Sequence, residues 1–159
     1  MQQPSLVFFV VAGDPTNFQW VRYTYTTALM SDGFYEFAPD GDYGFGTVEW
    51  YDEFDLAGTD TTSWMGRATT APPTQPWKSG VYRRDFENAV ALVNPRGNGL
   101  VTVTVESGLH RIAGKQDPGV NNGMPASEIT LGDGDGIVLV RDAYLNSSAR
   151  PRPPEVIVD

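Results

Sequence analysis

Six short segments rich in apolar and β-branched residues follow one another between residues 80 and 141, and turn sequences separate them. The separators include NPRGNG at Asn94–Gly99 and GDGDG at Gly132–Gly136, where Gly, Asn and Asp favour tight reversals of the chain. Short strands at such close spacing predict a small antiparallel β-sandwich. The expected strands are Gly80–Phe86, Asn88–Val93, Leu100–Val105, Leu109–Ile112, Ser127–Leu131 and Gly136–Arg141.

The N-terminal part has a different pattern. Ser5–Ala12 is a continuous apolar and β-branched run (SLVFFVVA), typical of a strand that is buried on both faces in a parallel sheet. We expect a helix next, with Asp14 as its cap and Pro15 at its first position. Its apolar positions recur at three- and four-residue spacing, and Gly33 supplies a stop. Those positions are Phe18, Val21, Tyr25, Ala28 and Leu29.

Two further strands are expected at Phe34–Phe37 and Thr47–Phe54, separated by a Gly- and Asp-rich loop. The predicted fold class is therefore α+β and mostly β: a short βαβ-type N-terminal segment followed by an antiparallel β-sandwich. We divide the chain into a βαββ segment (1–56), a linker or long loop (57–79), the β-sandwich (80–142) and a Pro-rich tail (143–159). The composition of the tail is typical of a stiff inter-domain tether.

Composition excludes several kinds of site. The 159 residues include 20 acidic and 11 basic side chains, a formal charge of −9 that opposes binding to phosphate backbones, so we expect no nucleic-acid partner. Cysteine is absent, which excludes disulfides, thiolate metal sites and cysteine nucleophiles. A single histidine, His110, rules out a two-histidine metal centre. The sequence GDGDG resembles a calcium loop but lacks the closing Glu, so a turn is favoured. We expect no cofactor and no metal, and any catalysis would use carboxylates.

The most apolar stretch, Leu6–Ala12, is seven residues long, whereas a membrane-spanning helix needs roughly 20. We therefore expect no transmembrane helix and no membrane partner. Met1–Pro4 has no basic residue, so we expect no signal peptide in this chain. The Ser-, Thr-, Asn- and Gly-rich composition with few lysines is typical of an extracellular or cell-surface bacterial protein, and we predict that location.

Four motifs, in this order, resemble the C-terminal end of bacterial glycoside hydrolases with an eight-stranded (β/α) barrel. ALMSDGFYEF at Ala28–Phe37 resembles a late barrel strand, and WYDEFD at Trp50–Asp55 resembles the end of the barrel. VYRRDFENAVALVNP at Val81–Pro95 and RIAGKQDPGVNNG at Arg111–Gly123, with DGIVLVR at Asp135–Arg141, resemble the β-sandwich that follows the barrel. The resemblance covers about residues 6 to 142.

The resemblance implies a carbohydrate-active protein in which a barrel-derived segment (1–56) joins an accessory sandwich and hydrolyses or binds a polysaccharide or oligosaccharide. A (β/α)8 barrel has about 250 residues, so this chain has room for only its last two or three strands. Such strands would present unpaired edges in a monomer. The alternative function is therefore a non-catalytic structural or interaction module, which either forms a homo-oligomer or docks with a partner chain that completes the barrel.

Four carboxylates are candidates for glycoside hydrolysis, which uses a pair of acidic side chains. Asp52 or Glu53 would act as the acid/base, and Glu36 or Glu49 would supply the partner carboxylate. Neighbouring residues of an extended strand point to opposite faces, so Asp52 and Glu53 cannot share one cleft if that segment is a strand. The competing interpretation is that these are ordinary solvated or capping carboxylates.

Aromatic faces beside hydrogen-bonding groups suit pyranose rings, whereas core packing is the alternative role of such residues. The candidate substrate-binding residues are Trp50, Tyr51, Trp64, Trp77 and Tyr35. Trp64 and Trp77 lie in polar, Pro- and Gly-rich surroundings, which predicts partial exposure. In the first sandwich strand, Arg83 and Arg84 are expected to face opposite sides, one toward the N-terminal segment in an ion pair and the other toward solvent.

Overall fold

The computed structural model describes residues 7–39, 49–56 and 64–146. The described part is α+β and mostly β, with a parallel βαβ unit followed by an antiparallel β-sandwich, as the sequence predicted. The strands are β1 (Phe8–Gly13), β2 (Phe34–Pro39), β3 (Tyr82–Asp85), β4 (Ala89–Asn94), β5 (Val101–Thr104), β6 (Leu109–Arg111), β7 (Glu128–Leu131) and β8 (Asp135–Arg141). The helices are α1 (Phe18–Leu29) and two single turns, α2 (Asp52–Asp55) and α3 (Asp142–Leu145).

The N-terminal unit consists of β1, α1 and β2. The two strands pair in parallel, with Phe8 opposite Phe34. Helix α1 begins one turn later than the sequence predicted, because the side chain of Asn17 caps it by accepting a 3.1 Å hydrogen bond from the Trp20 amide. The prediction that Asp14 caps the helix was wrong: its carboxylate accepts from the amide and hydroxyl of Thr16 and closes a turn before the helix.

The sandwich contains all six strands that the turn pattern predicted. One sheet has the order β3-β4-β8-β6, with every neighbouring pair antiparallel, and β5 and β7 form a second antiparallel pair. The side chains between these sheets make the main core, which includes Leu92, Val103, Ile129 and Leu139. The GDGDG segment forms a turn. Its Asp133 carboxylate accepts hydrogen bonds from the Gly97 and Gly99 amides of the NPRGNG segment.

Helix α1 lies between the four-stranded sheet and the β1–β2 sheet, and it packs on β8 and β4. The sheet face toward the helix carries small residues, Ala89 and Ala91 on β4 and Gly136 on β8. A β-carbon at Gly136 would overlap the Thr26 hydroxyl, so the helix approaches the sheet backbone closely at this point. The strands β4 and β8 are therefore buried on both faces, unlike strands of a two-layer sandwich.

Arg84 on β3 fastens the C-terminal end of α1 to the sandwich. Its side chain is 3% exposed and donates a 3.0 Å hydrogen bond to the Leu29 carbonyl, a further bond to the Ser31 carbonyl, and a charged bond to Asp32. Arg83 points away and pairs instead with Asp85 and Glu106 of the sandwich. The prediction that one arginine faces the N-terminal segment and pairs with it is confirmed for Arg84, whereas Arg83, expected to face solvent, is 13% exposed in its ion pairs.

The predicted strand Thr47–Phe54 was wrong over its described part. Residues 49–51 lead into the single helical turn α2, which ends at Leu56 in the left-handed conformation (φ 55°). The aromatic residues explain the error: Trp50 and Phe54 are four residues apart and their rings meet at 5.7 Å, which is helical rather than strand spacing. Thr47 and Val48 lie outside the described residues.

Within the described part of the predicted linker, residues 67–79 contain no strand and are mostly exposed, whereas Trp64 and Met65 belong to the core under the four-stranded sheet. Residues 57–63 and nearly all of the predicted Pro-rich tail, from 147 onward, lie outside the described residues. Of the helices that the structure describes, none has the length and apolar content needed to cross a membrane.

Candidate functional site

Asp52, the first candidate carboxylate, lies at the start of α2 against the loop that joins β6 to β7. Its Oδ2 atom accepts hydrogen bonds from the backbone amides of Lys115 (2.8 Å) and Gln116 (2.9 Å). The Gln116 side chain completes the contact, since it accepts from the Asp52 amide and donates to the Trp50 carbonyl, both at 2.8 Å. The side chain is 6% exposed. Asp52 therefore holds α2 on the sandwich loop, which is a structural role.

Glu53, the next residue, is equally buried and lies in a polar cluster. Its Oε1 atom accepts a 2.8 Å hydrogen bond from the amide of Asn121, a side chain that is 2% exposed. Burial raises the pKa of the Glu53 carboxyl, while the Asn121 hydrogen bond and the charge of Arg22 act in the opposite direction. A raised pKa is the property of a general acid, but this carboxyl faces protein groups rather than a cleft.

The two proposed partner carboxylates lie elsewhere. Glu36 is exposed on β2, and Glu49 is half-buried before α2. Burial raises the pKa of the Tyr51 phenol, and the charges of Glu49 and Glu53 raise it further. Within the described residues, no hydrogen bond links any two of the four candidate carboxylates. The structure brings Asp52 and Glu53 to one loop of the sandwich and leaves Glu36 on the opposite side of the N-terminal unit.

An aromatic cleft of about 470 Å³ lies beside β2, between α1 and α2. Two of the predicted substrate-binding residues, Tyr35 and Trp50, line it, and Trp50 is 49% exposed. The remaining lining residues are Tyr25, Ala28, Leu29, Gly33, Phe34 and Phe54. Sequence reasoning missed Tyr25 and Phe54, although the four-residue spacing of Trp50 and Phe54 was a signal for Phe54.

The rings of Tyr25, Tyr35 and Phe54 pack against one another in tilted and edge-to-face contacts. Tyr25 and Phe54 lie 5.1 Å apart between centroids, and each also contacts Tyr35, at 5.3 and 6.0 Å. Such aromatic contacts hold the walls in place. The cleft is therefore formed before any ligand binds.

Both phenols of the cleft already have partners. Tyr35 shares a 2.8 Å hydrogen bond with the Thr24 hydroxyl, and Tyr25 donates to the sulfur of Met65 at 3.6 Å. Burial raises the pKa of Tyr35 to about 12, and burial followed by the Glu53 charge raises that of Tyr25. Both phenols are neutral at physiological pH, so the cleft presents a mainly apolar surface.

The other aromatic candidates are divided between core and surface. Tyr51 is 2% exposed, and its hydroxyl donates to the Pro15 carbonyl at 3.3 Å. Trp64 is also 2% exposed, and its ring nitrogen donates to the Glu53 carbonyl at 2.9 Å, so the prediction of partial exposure was wrong for this residue. Trp77 is 39% exposed, as predicted, with Arg83 5.0 Å from its ring centroid. These three residues do not line the aromatic cleft.

The β1–β2 sheet carries a second surface feature, on the face opposite α1. We call it the open face, and it comprises Phe8, Val10, Phe34 and Glu36. Phe8 is 65%, Val10 57% and Phe34 56% exposed, and the rings of Phe8 and Phe34 stack with centroids 5.2 Å apart. The sequence run suggested a strand buried on both faces, so the exposure of alternate residues of β1 is the main departure from that pattern.

Among the described residues, no cluster of three or more histidine, aspartate or glutamate side chains is placed to hold a metal ion. Comparison of the chain with protein-family models, with curated proteins and with solved structures gave no match. The open face and the aromatic cleft are therefore the two surface features of the described residues that could bind a ligand or a partner.

Proposed function

We propose that this chain is a docking module, in which the sandwich holds a two-stranded parallel sheet ready to join the β/α elements of a partner polypeptide. The observation that carries the proposal is the open face, where three large apolar side chains are more than half exposed. Soluble proteins rarely leave a contiguous apolar patch uncovered unless it binds something.

The architecture of the β1–β2 sheet also supports a docking role. Parallel sheets are normally covered on both faces, and a two-stranded sheet alone is marginally stable. Here α1 covers one face only, and within the described residues each strand pairs with the other and with no third strand. Additional strands and helices would supply both the missing cover and the missing backbone partners.

The attachment of this sheet to the sandwich suits a docking role. Arg84 and the close contact of Thr26 with Gly136 fix α1 on the four-stranded sheet, and Asp52 fixes α2 on a sandwich loop. A surface held this firmly loses little conformational entropy when a partner binds. The sandwich is thus a scaffold for the docking surface.

The resemblance to glycoside hydrolases supports a carbohydrate-related role for the assembled protein, in an extracellular or cell-surface setting. Carbohydrate binding by this chain itself is a second candidate function, and the exposed ring of Trp50 in the aromatic cleft favours it. Hydrolysis would need Glu53 or Asp52 to act with Glu36 or Glu49. Assay of a polysaccharide panel with the wild type and with Trp50→Ala and Glu53→Gln tests both activities: binding lost only in Trp50→Ala supports recognition, and cleavage lost in Glu53→Gln supports hydrolysis.

The docking function is tested by sedimentation velocity over a concentration series at high salt, which screens the repulsion of the net negative charge. Without its partner, the open face should bind a second copy weakly, so the wild type should show concentration-dependent association. Val10→Lys on the open face should abolish that association. Leu100→Lys, which puts the same charge on a residue of the sandwich that is 77% exposed, should leave it unchanged. A strictly monomeric wild type would contradict the proposal.

A further inference from the structure

The side-chain amide of Asn121 is satisfied on one side only. Its Nδ2 group donates a 2.8 Å hydrogen bond to Oε1 of Glu53. Its Oδ1 atom is buried and receives no hydrogen bond from the described residues. A buried acceptor without a donor costs free energy, and native structures retain few of them. The oxygen therefore needs a donor, and the side chain already bound to the same amide is Glu53.

A protonated Glu53 supplies that donor. A carboxylic acid has one O–H group and keeps an acceptor oxygen, whereas a carboxylate only accepts. While Oε1 accepts from Asn121 Nδ2, a proton on Oε2 can be donated to Oδ1 of the same amide. The acid and the amide then form a ring closed by two hydrogen bonds. Glu53 is 6% and Asn121 2% exposed, so bulk water does not compete for these bonds.

The charged groups around Glu53 also favour its neutral form. The basic side chain that acts on it is Arg22 of α1, which already pairs with Asp117 and, at 3.4 Å, with Asp135. Asp52, the preceding residue, adds a further negative charge. None of the ion pairs in the described part of the chain includes Glu53. An ionised Glu53 would therefore be a buried charge without a counterion of its own.

The other titratable groups that interact with Glu53 are phenols. They are Tyr25 on α1, Tyr35 on β2 and Tyr51 directly before α2. Burial raises the pKa of each phenol, so all three are neutral at physiological pH and bring no positive charge. Burial likewise raises the pKa of the Glu53 carboxyl, in agreement with the unsatisfied oxygen of Asn121.

Helix α2 connects this buried pair to the aromatic cleft. The same helical turn carries Glu53 toward Asn121 and carries Trp50 and Phe54 to the wall of the cleft. The turn is closed by the Phe54 amide, which donates to the Tyr51 carbonyl at 2.9 Å. A change in the contact between Glu53 and Asn121 is therefore only one turn away from the cleft wall.

We propose that Glu53 and Asn121 form a proton-dependent latch, which holds α2 and the Trp50 wall of the aromatic cleft against the sandwich. With the proton in place, the acid–amide pair closes the latch. Loss of the proton leaves Asn121 Oδ1 without a donor and puts an unpaired charge in the protein interior, so α2 opens more readily. Asp52 still holds the start of the turn, because its two bonds to backbone amides do not involve that proton. None of the latch residues belongs to the open face, so the latch is independent of the docking function.

Infrared spectroscopy detects the proton directly, because a protonated carboxyl has a C=O stretch that a carboxylate lacks. At about pH 6, where an ordinary Glu is ionised, the wild type should show an acid band that is absent from Glu53→Gln. Glu128→Gln, at an exposed position of β7, is the matched control and should keep the band. A wild type without the band, or a band that survives in Glu53→Gln, would overturn the inference.

Hydrogen exchange of the Phe54 amide, expressed as a protection factor, tests the latch. Opening that releases one proton should lower the protection by up to about tenfold per pH unit above 4.5, until the raised pKa is passed. Glu53→Gln does not ionise, and its amide can form the same two hydrogen bonds with Asn121, so its protection should stay constant with pH. Glu128→Gln should follow the wild type.

Fluorine NMR follows the cleft wall in full chain that contains 5-fluorotryptophan at its four tryptophans. The Trp50 signal, assigned with Trp50→Phe, should shift while the acid band titrates, and it should not shift in Glu53→Gln. The signal of Trp77, which does not line the cleft, should stay in place. Unchanged Phe54 protection or an unchanged Trp50 signal across this titration would overturn the latch. Self-association through Val10 would then still support the docking function, so the two proposals fail separately.

Discussion

Phe8 and Phe34 stack with 21° between their ring planes on neighbouring parallel strands, and both rings are more than half exposed. Aromatic stacking of this kind normally lies inside a core or an interface. Here the pair lies on the face of the β1–β2 sheet that α1 does not cover. The relationship explains why we regard this sheet as the part of the molecule that meets a partner, and the sandwich as its support.

The contact between α1 and the sandwich is tested at Gly136. Gly136→Ala should destabilise the protein by about 1–3 kcal/mol, because the new β-carbon would overlap Thr26 and push the helix from β8. Gly119→Ala is the matched control, since its β-carbon would meet only Asp117 Oδ1, at 3.6 Å. Urea unfolding measures both. Equal stability of the two variants would refute the close approach of helix and sheet.

The anchor at the end of α1 is tested by Arg84→Lys. Lysine keeps the charge but cannot bond the Leu29 and Ser31 carbonyls and Asp32 together, so we expect a loss of roughly 2 kcal/mol. Relative to the wild type, Arg84→Lys should accelerate hydrogen exchange more in the last turn of α1 than in β8. Uniform acceleration across the molecule would argue against a local anchor.

Glu53→Gln tests the buried carboxyl. Because burial raises its folded-state pKa above the ordinary value of 4.5, the folded state binds more protons than the unfolded state as pH rises above 4.5. The contribution of the protonated Glu53 carboxyl to folding stability is therefore fully present below pH 4.5, and it is lost as the pH rises through the raised pKa. Glutamine still accepts from Asn121 and does not ionise.

Thermal unfolding between pH 4 and 8 measures this difference. The melting temperature of Glu53→Gln relative to the wild type should increase with pH, whereas Glu36→Gln, at an exposed position, should follow the wild type. A constant difference between Glu53→Gln and the wild type across the range would show that this carboxyl ionises normally in the folded protein.

Asp52→Asn tests the junction between α2 and the sandwich. The change replaces a carboxylate that accepts two backbone hydrogen bonds, and we expect a loss of about 1–2 kcal/mol in the free energy of unfolding. Glu49→Gln, at a half-buried neighbouring position, should change stability by less than about 0.5 kcal/mol. Denaturant unfolding of both variants measures the difference. An Asp52→Asn variant with the free energy of unfolding of the wild type would contradict a structural role for Asp52.

The sequence predicted the sandwich strands well because each is short and bounded by Gly, Asn or Asp turns, which are local signals. It also predicted that Arg83 and Arg84 diverge, since strand alternation is local too. One error was a choice between two local caps, since Asn17 rather than Asp14 caps α1. The other arose where tertiary contacts contribute, because α2 is held by the hydrogen bonds of Asp52 to the distant amides of Lys115 and Gln116.

The candidate site was predicted only in part. Trp50 and Tyr35 do line a cleft, and the four-residue spacing of Trp50 and Phe54 was a signal for Phe54, but Tyr25 comes from α1 and no spacing rule joins it to the others. Trp64 packs in the core under the four-stranded sheet and its ring nitrogen donates to the Glu53 carbonyl, contacts that its polar flanking residues do not reveal. The exposure of the open face could not be predicted from the continuous apolar run of β1. The same sequence suits a strand covered on both faces, whether its own chain or a partner covers it.

The docking role is tested most directly by site-specific cross-linking, which the absence of natural cysteine makes simple. Val10→Cys and Leu100→Cys each introduce one exposed thiol, on the open face and on the sandwich. With a short bismaleimide at high salt, we predict covalent dimers from Val10→Cys, and their loss when Phe34→Lys is added. Equal cross-linking from both positions, or from Leu100→Cys alone, would contradict the account.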